Sequence, residues 1–152
     1  MLDIRVDDLH GPEIATLLQE HLDNMHRWSP PESVHALDLD ALRVPSITFW
    51  SGWADGRLVC CGALKELDGE TGEIKSMRTA DAARRRGYAA RMLEHLLGTA
   101  RSRRYRQLFL ETGSQATFEP ARRLYARYGF RECAPFAGYG PDPNSTFMTL
   151  GL

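Results

Sequence analysis

The chain has 152 residues, 17.2 kDa, 43% hydrophobic and 26% charged, with a net charge of −1. One domain spanning 1–152 fits that length, and the composition excludes a disordered, collagen-like or disulfide-framework chain. No apolar run approaches the ~18–20 residues that span a bilayer, and the polar start MLDIRVDDLH is no signal peptide. Three cysteines (Cys60, Cys61, Cys133) make no framework, so a cytoplasmic location is expected. The small net charge hides a division. Residues 1–77 carry six Lys/Arg against fourteen Asp/Glu, while residues 78–131 carry thirteen Arg against four acids. Either the charges interleave in space as a solvated surface, or the basic half faces a polyanion.

Residues 3–6 (DIRV) read as a first strand. Pro12 then opens a helix whose Ile14, Leu17, Leu18, Leu22 and Met25 recur at helical spacing. Trp28-Ser29-Pro30-Pro31 ends it, and residues 32–43 read as a short irregular helix. SITFWSGWA from residue 46, RLVCCGALKEL from 57 and GEIKSMRT over 72–79 form an antiparallel meander turned by Asp55-Gly56 and Asp68-Gly69-Glu70. Simple alternation along the third of these strands puts Glu73, Lys75, Met77 and Thr79 on one face. A second amphipathic helix follows over 86–102, then an apolar strand RQLFLET (106–112). A helix over 117–128 stops at Gly129, and two strands, 130–133 and 146–150, flank the turn-rich stretch GYGPDPNS. The order predicts an α/β fold, with a mixed, mostly antiparallel sheet and helices on both faces.

The segment Arg84-Arg85-Arg86-Gly87-Tyr88-Ala89 lies between a strand and a long helix. Amides at a helix start lack intrahelical partners, the helix dipole is positive there, and a glycine lets the backbone approach an anion. Arginines add charge-assisted bonds to phosphate. Such a site suits a pyrophosphate, although neither GxxxxGK[ST] nor GxGxxG is present. The alternative is an exposed arginine cluster, but arginines at a helix start oppose the dipole and do not stabilise the helix.

Arg84-x-x-Gly87-x-Ala89 resembles the Q/R-x-x-G-x-G/A signature of the GNAT acyltransferase superfamily. Leu124-Tyr125-Ala126-Arg127-Tyr128-Gly129-Phe130 is similar to its LYxxxGF segment. SPPESVHALDL, GEIKSMRT, LETGS and DPNSTFM further resemble a bacterial branch of YsnE-like acetyltransferases. The resemblance implies an acetyl-CoA-dependent N-acetyltransferase, with a splay between the two central strands. Amides around Arg85, Arg86, Gly87, Tyr88, Ala89 and Ala90, with Arg84, would hold the CoA pyrophosphate, and the pantetheine arm would pair beside Met77, Arg78 and Thr79. Where the family often has an Asn touching that arm, this sequence has Phe118, which puts the contact in doubt.

Acetyl transfer to an amine needs a proton acceptor, an oxyanion donor and a proton for the leaving thiolate. Glu73 is the candidate base, with Glu111 and a water chain as alternatives; a surface glutamate paired with Lys75 is the competing reading. The resemblance makes Tyr125 the proton donor to the thiolate, against a plain core aromatic. The Met77 or Arg78 N–H would stabilise the oxyanion. His26, Trp28, His35, Trp50 and Asn144 are candidate acceptor-binding residues, with Trp53 and Ser145 beside them. No metal is predicted, since adjacent Cys60 and Cys61 point to opposite faces and His21 and His26 lack i, i+4 spacing. The expected partner is a small-molecule or amino-acid-like amine, and the acidic first half favours a cationic or zwitterionic one. A protein N-terminus or lysine, and a catalytically weak acyl-CoA sensor, remain alternatives. A homodimer is possible, because many relatives pair through exposed strands; nucleic-acid and membrane partners are not expected.

Overall fold

The computed structural model describes residues 1–28 and 39–152, with the side chains of Met25, His26 and Trp28 excepted. Among them, seven strands build one sheet: β1 (Asp3–Val6), β2 (Ile47–Ala54), β3 (Arg57–Glu66), β4 (Thr71–Thr79), β5 (Gln107–Gly113), β6 (Arg131–Glu132) and β7 (Ser145–Gly151). Their order across the sheet is β1-β2-β3-β4-β5-β7-β6. Every neighbouring pair is antiparallel except β4 and β5. The helices are α1 (Pro12–Trp28), α2 (Leu39–Leu42), α3 (Tyr88–Ser102) and α4 (Glu119–Arg127).

Two apolar cores sandwich the sheet. On one face α3 buries Met92, Leu93, Leu96 and Ala100 against Cys60, Leu64, Ile74, Leu108 and Leu110. Each of the larger side chains contributes about 1.5–3 kcal/mol relative to exposure. On the other, Ile14, Leu17 and Leu18 of α1 meet Phe49, Cys61 and Ala63. Cys60 and Cys61 therefore fall in opposite cores, as the period-two pleat requires.

Two irregularities of β4 create the site. Its pairing with β5 runs only from Thr71↔Gln107 to Ile74↔Leu110. Beyond that β4 stays with β3 to Thr79 while β5 stays with β7 to Gly113, so a cleft opens between the central strands. The second is a β-bulge. Cys61 pairs with Arg78 and Ala63 with Lys75, leaving Ser76 and Met77 opposite Gly62 alone, with Ser76 at φ 55. The extra residue breaks the alternation. Glu73 and Lys75 line a cavity with His21 of α1; Met77 also borders it, but packs on the α3-side core. The expectation of one shared face for Glu73, Lys75, Met77 and Thr79 fails at this bulge.

Other boundaries shift for local reasons. α3 begins at Tyr88 rather than 86, because Arg85 (φ 66) and Gly87 (φ 82) adopt left-handed conformations that no helix continues. The 117–128 helix divides into a 3-10 turn at Ala116–Phe118 and α4. The strand expected over 130–133 shortens to Arg131–Glu132. Of the helix expected over 32–43, Leu39–Leu42 is helical and residues 29–38 lie outside the described residues.

Candidate active site

A cavity of about 150 Å³ occupies the cleft between β4 and β5 and is reached by His21 of α1. Glu73, Lys75 and Arg78 come from β4, Glu111 and Gly113 from β5, His21 from α1, Tyr125 from α4, and Tyr139 from the loop before β7. A second cavity, about 480 Å³, lies at the start of α3 and is lined by Arg84, Arg85, Gly87, Tyr88, Ala89 and Ala90 with Met77, Arg78 and Thr79. The two share Met77, Arg78, Phe118, Ala121 and Tyr125. These residues stand where the cavities meet.

The smaller cavity holds a buried polar network. Glu73 is 3% exposed. Its Oε2 accepts the Tyr139 hydroxyl proton at 2.7 Å and the Lys75 ammonium at 3.0 Å, and Lys75 Nζ also donates to Tyr139 Oη at 3.1 Å. Burial and the adjacent Glu73 carboxylate push the Tyr139 hydroxyl well above the usual tyrosine range, so it stays a donor. On the opposite wall Ser145 Oγ donates to Glu111 Oε2 at 2.7 Å. Phe136 holds the β6–β7 loop down by stacking on Phe109 and meeting Phe147 edge-on. Tyr139 is thereby brought across the sheet.

Tyr125 is anchored by the end of α4. Gly129 at φ 98 donates to Ala126 O, and Phe130 N–H returns to Tyr125 O at 3.1 Å, a Schellman closure. The Phe130 ring packs edge-on against Tyr125 at 5.8 Å. Burial, then the Glu111 charge, raises the Tyr125 hydroxyl, which keeps it protonated through the neutral range. At the α3 start, Gly87 caps the helix without any side-chain hydrogen bond, so the first-turn amides have no partner from the cap. Arg84 is tied to Asp81 at 2.7 Å.

Nine of the ten residues expected at the cofactor line the larger cavity; Arg86 alone does not. Glu73 and Tyr125, expected as catalytic, both line the smaller one. The acceptor candidates fare differently. Trp50 is 5% exposed in the α3-side core, edge-on to His95, and reaches neither cavity. Trp53 donates its indole N–H to Ser51 Oγ and lies beneath the Arg5 guanidinium. Asn144 accepts from Gln115 Nε2 at 3.2 Å in the turn before β7, tying that turn to the loop after β5. His35 and the side chains of His26 and Trp28 lie outside the described residues. Sequence reasoning missed Tyr139, His21, Thr112, Gly113 and the Arg78 side chain. Among the described residues, no three His, Cys, Asp or Glu are placed to hold a metal ion.

Comparison with known proteins gives one consistent picture. Residues 14–130 match the acetyltransferase (GNAT) family. The chain is 55% identical to the N-acetyltransferase YsnE of Bacillus subtilis (strain 168), itself uncharacterized, over 99% of this chain and 100% of that one. A Klebsiella pneumoniae structure, assigned as an acyl-CoA N-acyltransferase, superposes with a TM-score of 0.80 at 27% identity, covering 100% of this chain and 98% of that one. The same fold is shared with a GNAT acetyltransferase from Elizabethkingia anophelis, solved with acetyl-CoA bound, at TM-score 0.69 and 20% identity over 99% and 98% of the two chains.

Proposed function

The chain belongs to the GNAT acetyltransferase family and is an acyltransferase; from that premise we propose that it moves an acetyl group from acetyl-CoA to the amine of a small or amino-acid-like molecule. The observation that carries this reading is the meeting of the two cavities at Met77, Arg78 and Tyr125. One has the chemistry of a phosphate cradle, the other that of a buried acid–base site.

The fit to the donor rests on the α3 start and the cleft. Amides from Arg85 to Ala90, with Arg84, hold the pyrophosphate at the positive end of the helix. The stretch of β4 left unpaired on its β5 side accepts the pantetheine amides as an added strand would. The thioester then lies beside the bulge, where the Met77 or Arg78 N–H stabilises the oxyanion.

Glu73 takes the proton of the attacking amine. Both of its fixed hydrogen bonds use Oε2, which leaves Oε1 for that proton. Lys75 and Tyr139 hold the carboxylate in place. The amine attacks the thioester carbon directly, the C–S bond breaks, and Tyr125 gives its proton to the departing sulfur. A cavity of 150 Å³ supports a small acceptor rather than a protein surface, since a void of that size takes a benzene-sized molecule.

Release of CoA thiol from acetyl-CoA across a panel of small amines, amino acids and short peptides tests the reading. The expected result is amine-dependent release that favours small acceptors. Tight CoA binding with silence across the panel makes the protein a sensor domain, and faster transfer to peptide N-termini or lysines moves the acceptor to proteins.

A further inference from the structure

We propose that the Arg78 side chain anchors a carboxylate of the acceptor, so that the acceptor is an amino acid or another small amino carboxylate. This rests on the acceptor reading of the smaller cavity given above.

Arg78 follows the β4 bulge, and its side chain is only 10% exposed. Its Nε and Nη2 are buried and meet no hydrogen-bond acceptor among the described residues. The acids near it are committed elsewhere. Asp81 Oδ1 stands 3.9 Å from Nη2, beyond hydrogen-bond range, and is 2.7 Å from Arg84. Glu20 Oε1 accepts the Asp81 N–H at 3.2 Å and acts on Arg78 only through space. A guanidinium without hydrogen-bonded counter-charge is expensive to bury, and its fork matches one ligand group best, a carboxylate held by two parallel N–H bonds.

The side of the sheet decides which ligand supplies it. Arg78 pairs in register with Cys61, whose side chain belongs to the α1-side core. Its charge is felt by His21 of α1, which burial and Arg78 together hold down to about 4. His21 is therefore neutral and offers the ligand no rival cation. Lys75 is already neutralised by Glu73 at 3.0 Å. Once Glu73 and Lys75 are set against each other, the charges left in the cavity among the described residues are the Glu111 carboxylate and an Arg78 guanidinium whose Nε and Nη2 have no hydrogen-bonded counter-charge. An acceptor whose amine sits by the carboxylates and whose carboxylate sits on Arg78 complements both.

The test compares an amino acid, its amide and its decarboxylated amine as acceptors for the wild type and R78Q. One charge-assisted pair of hydrogen bonds is expected to give the amino acid at least a ~10-fold advantage in kcat/KM. In R78Q that advantage collapses, chiefly through the amino acid's KM. A wild type without preference, or equal losses for all three acceptors, overturns the proposal. So does an Arg78-dependent preference for succinyl-CoA over acetyl-CoA, which puts the anion on the donor. Binding of the same three compounds to CoA-saturated protein separates the two readings. If nothing turns over, Arg78-dependent binding of the amino acid keeps this inference and removes the transferase reading. If the amide binds as tightly as the amino acid, the inference falls while transfer stands. R78K, which keeps the charge and loses the fork, is the second variant should R78Q not fold, and an intermediate preference is expected of it.

Discussion

Tyr139, in the loop between β6 and β7, donates its hydroxyl proton to Glu73 in β4 across 66 residues of sequence, at 2.7 Å. With Lys75 on the same oxygen, the carboxylate is held from two directions in a site 3% exposed. Removing one partner of a buried pair leaves the other uncompensated, on the order of 3–5 kcal/mol. Glu73→Gln is expected to lower unfolding free energy in urea by that order and to lower kcat by roughly 10²–10⁴-fold, the scale of a general base. Lys75→Met added to it should restore stability but not the rate. A kcat equal to wild type would transfer the base role to Glu111.

Tyr125→Phe keeps the edge-on packing with Phe130 and the α4 closure, since neither uses the hydroxyl. A general acid contributes roughly 10²–10⁴-fold. The variant is expected to lose kcat on that scale while its KM for acetyl-CoA changes less than about threefold. Because burial raises this hydroxyl, any alkaline fall in rate caused by its ionisation lies above the ordinary tyrosine range. Steady-state kinetics from pH 6 to 10 check both points, and an unchanged kcat removes Tyr125 as acid.

Much of this site was legible where chemistry is local. Arg84-x-x-Gly87-x-Ala89 predicts a cradle because a left-handed glycine and a helix start are encoded within a few residues, and the larger cavity forms there. The closing segment after Tyr125 was legible for the same reason, through Gly129. What was hidden depends on pairing between distant strands. The Ser76–Met77 bulge carries no glycine or proline to announce it, so alternation misplaces Met77 and conceals that the Arg78 side chain joins Glu73. Trp50 sits on a strand buried on both faces, where period-two reasoning cannot say which face meets the site. Tyr139 lies in a turn-rich stretch with no periodicity; the packing of Phe136 on Phe109, its own ring contacts with Phe136 and Phe147, and its bonds to Glu73 and Lys75 bring it over β4.

The His21 imidazole links acid stability to the same cavity. Its pKa is lowered from 6.5 to about 4, first by burial and then by Arg78. Between those values the unfolded chain binds a proton that the folded one refuses, so folding stability is present above about 6.5 and is lost as pH falls toward 4. The contribution is on the order of 2–4 kcal/mol. His21→Gln should therefore show a shallower decline of urea midpoint between pH 7 and 4.5. In R78Q, with one of the two causes gone, the His21 titration followed by NMR is expected to move upward. A titration unmoved by R78Q would assign the whole shift to burial.

Gly113 and Phe118 are coupled by direct contact. A Cβ built at 113, the end of β5, would collide with the Cδ2 edge of the Phe118 ring, which stands at the junction of the two cavities. Arg122 reinforces this corner by donating to the Gly113 carbonyl at 2.6 Å and to the Gln115 carbonyl at 3.0 Å. Gly113→Ala must displace the ring and with it the 3-10 turn that starts α4, the helix that carries Tyr125. Overpacking of this kind costs about 1–3 kcal/mol. Gly113→Ala is expected to lose stability in that range together with kcat, whereas in a Phe118→Ala background the same change should be milder. The difference between the two backgrounds, read from urea midpoints, should be at least ~0.5 kcal/mol. Additive effects would mean that the ring moves aside freely and does not fix the position of α4.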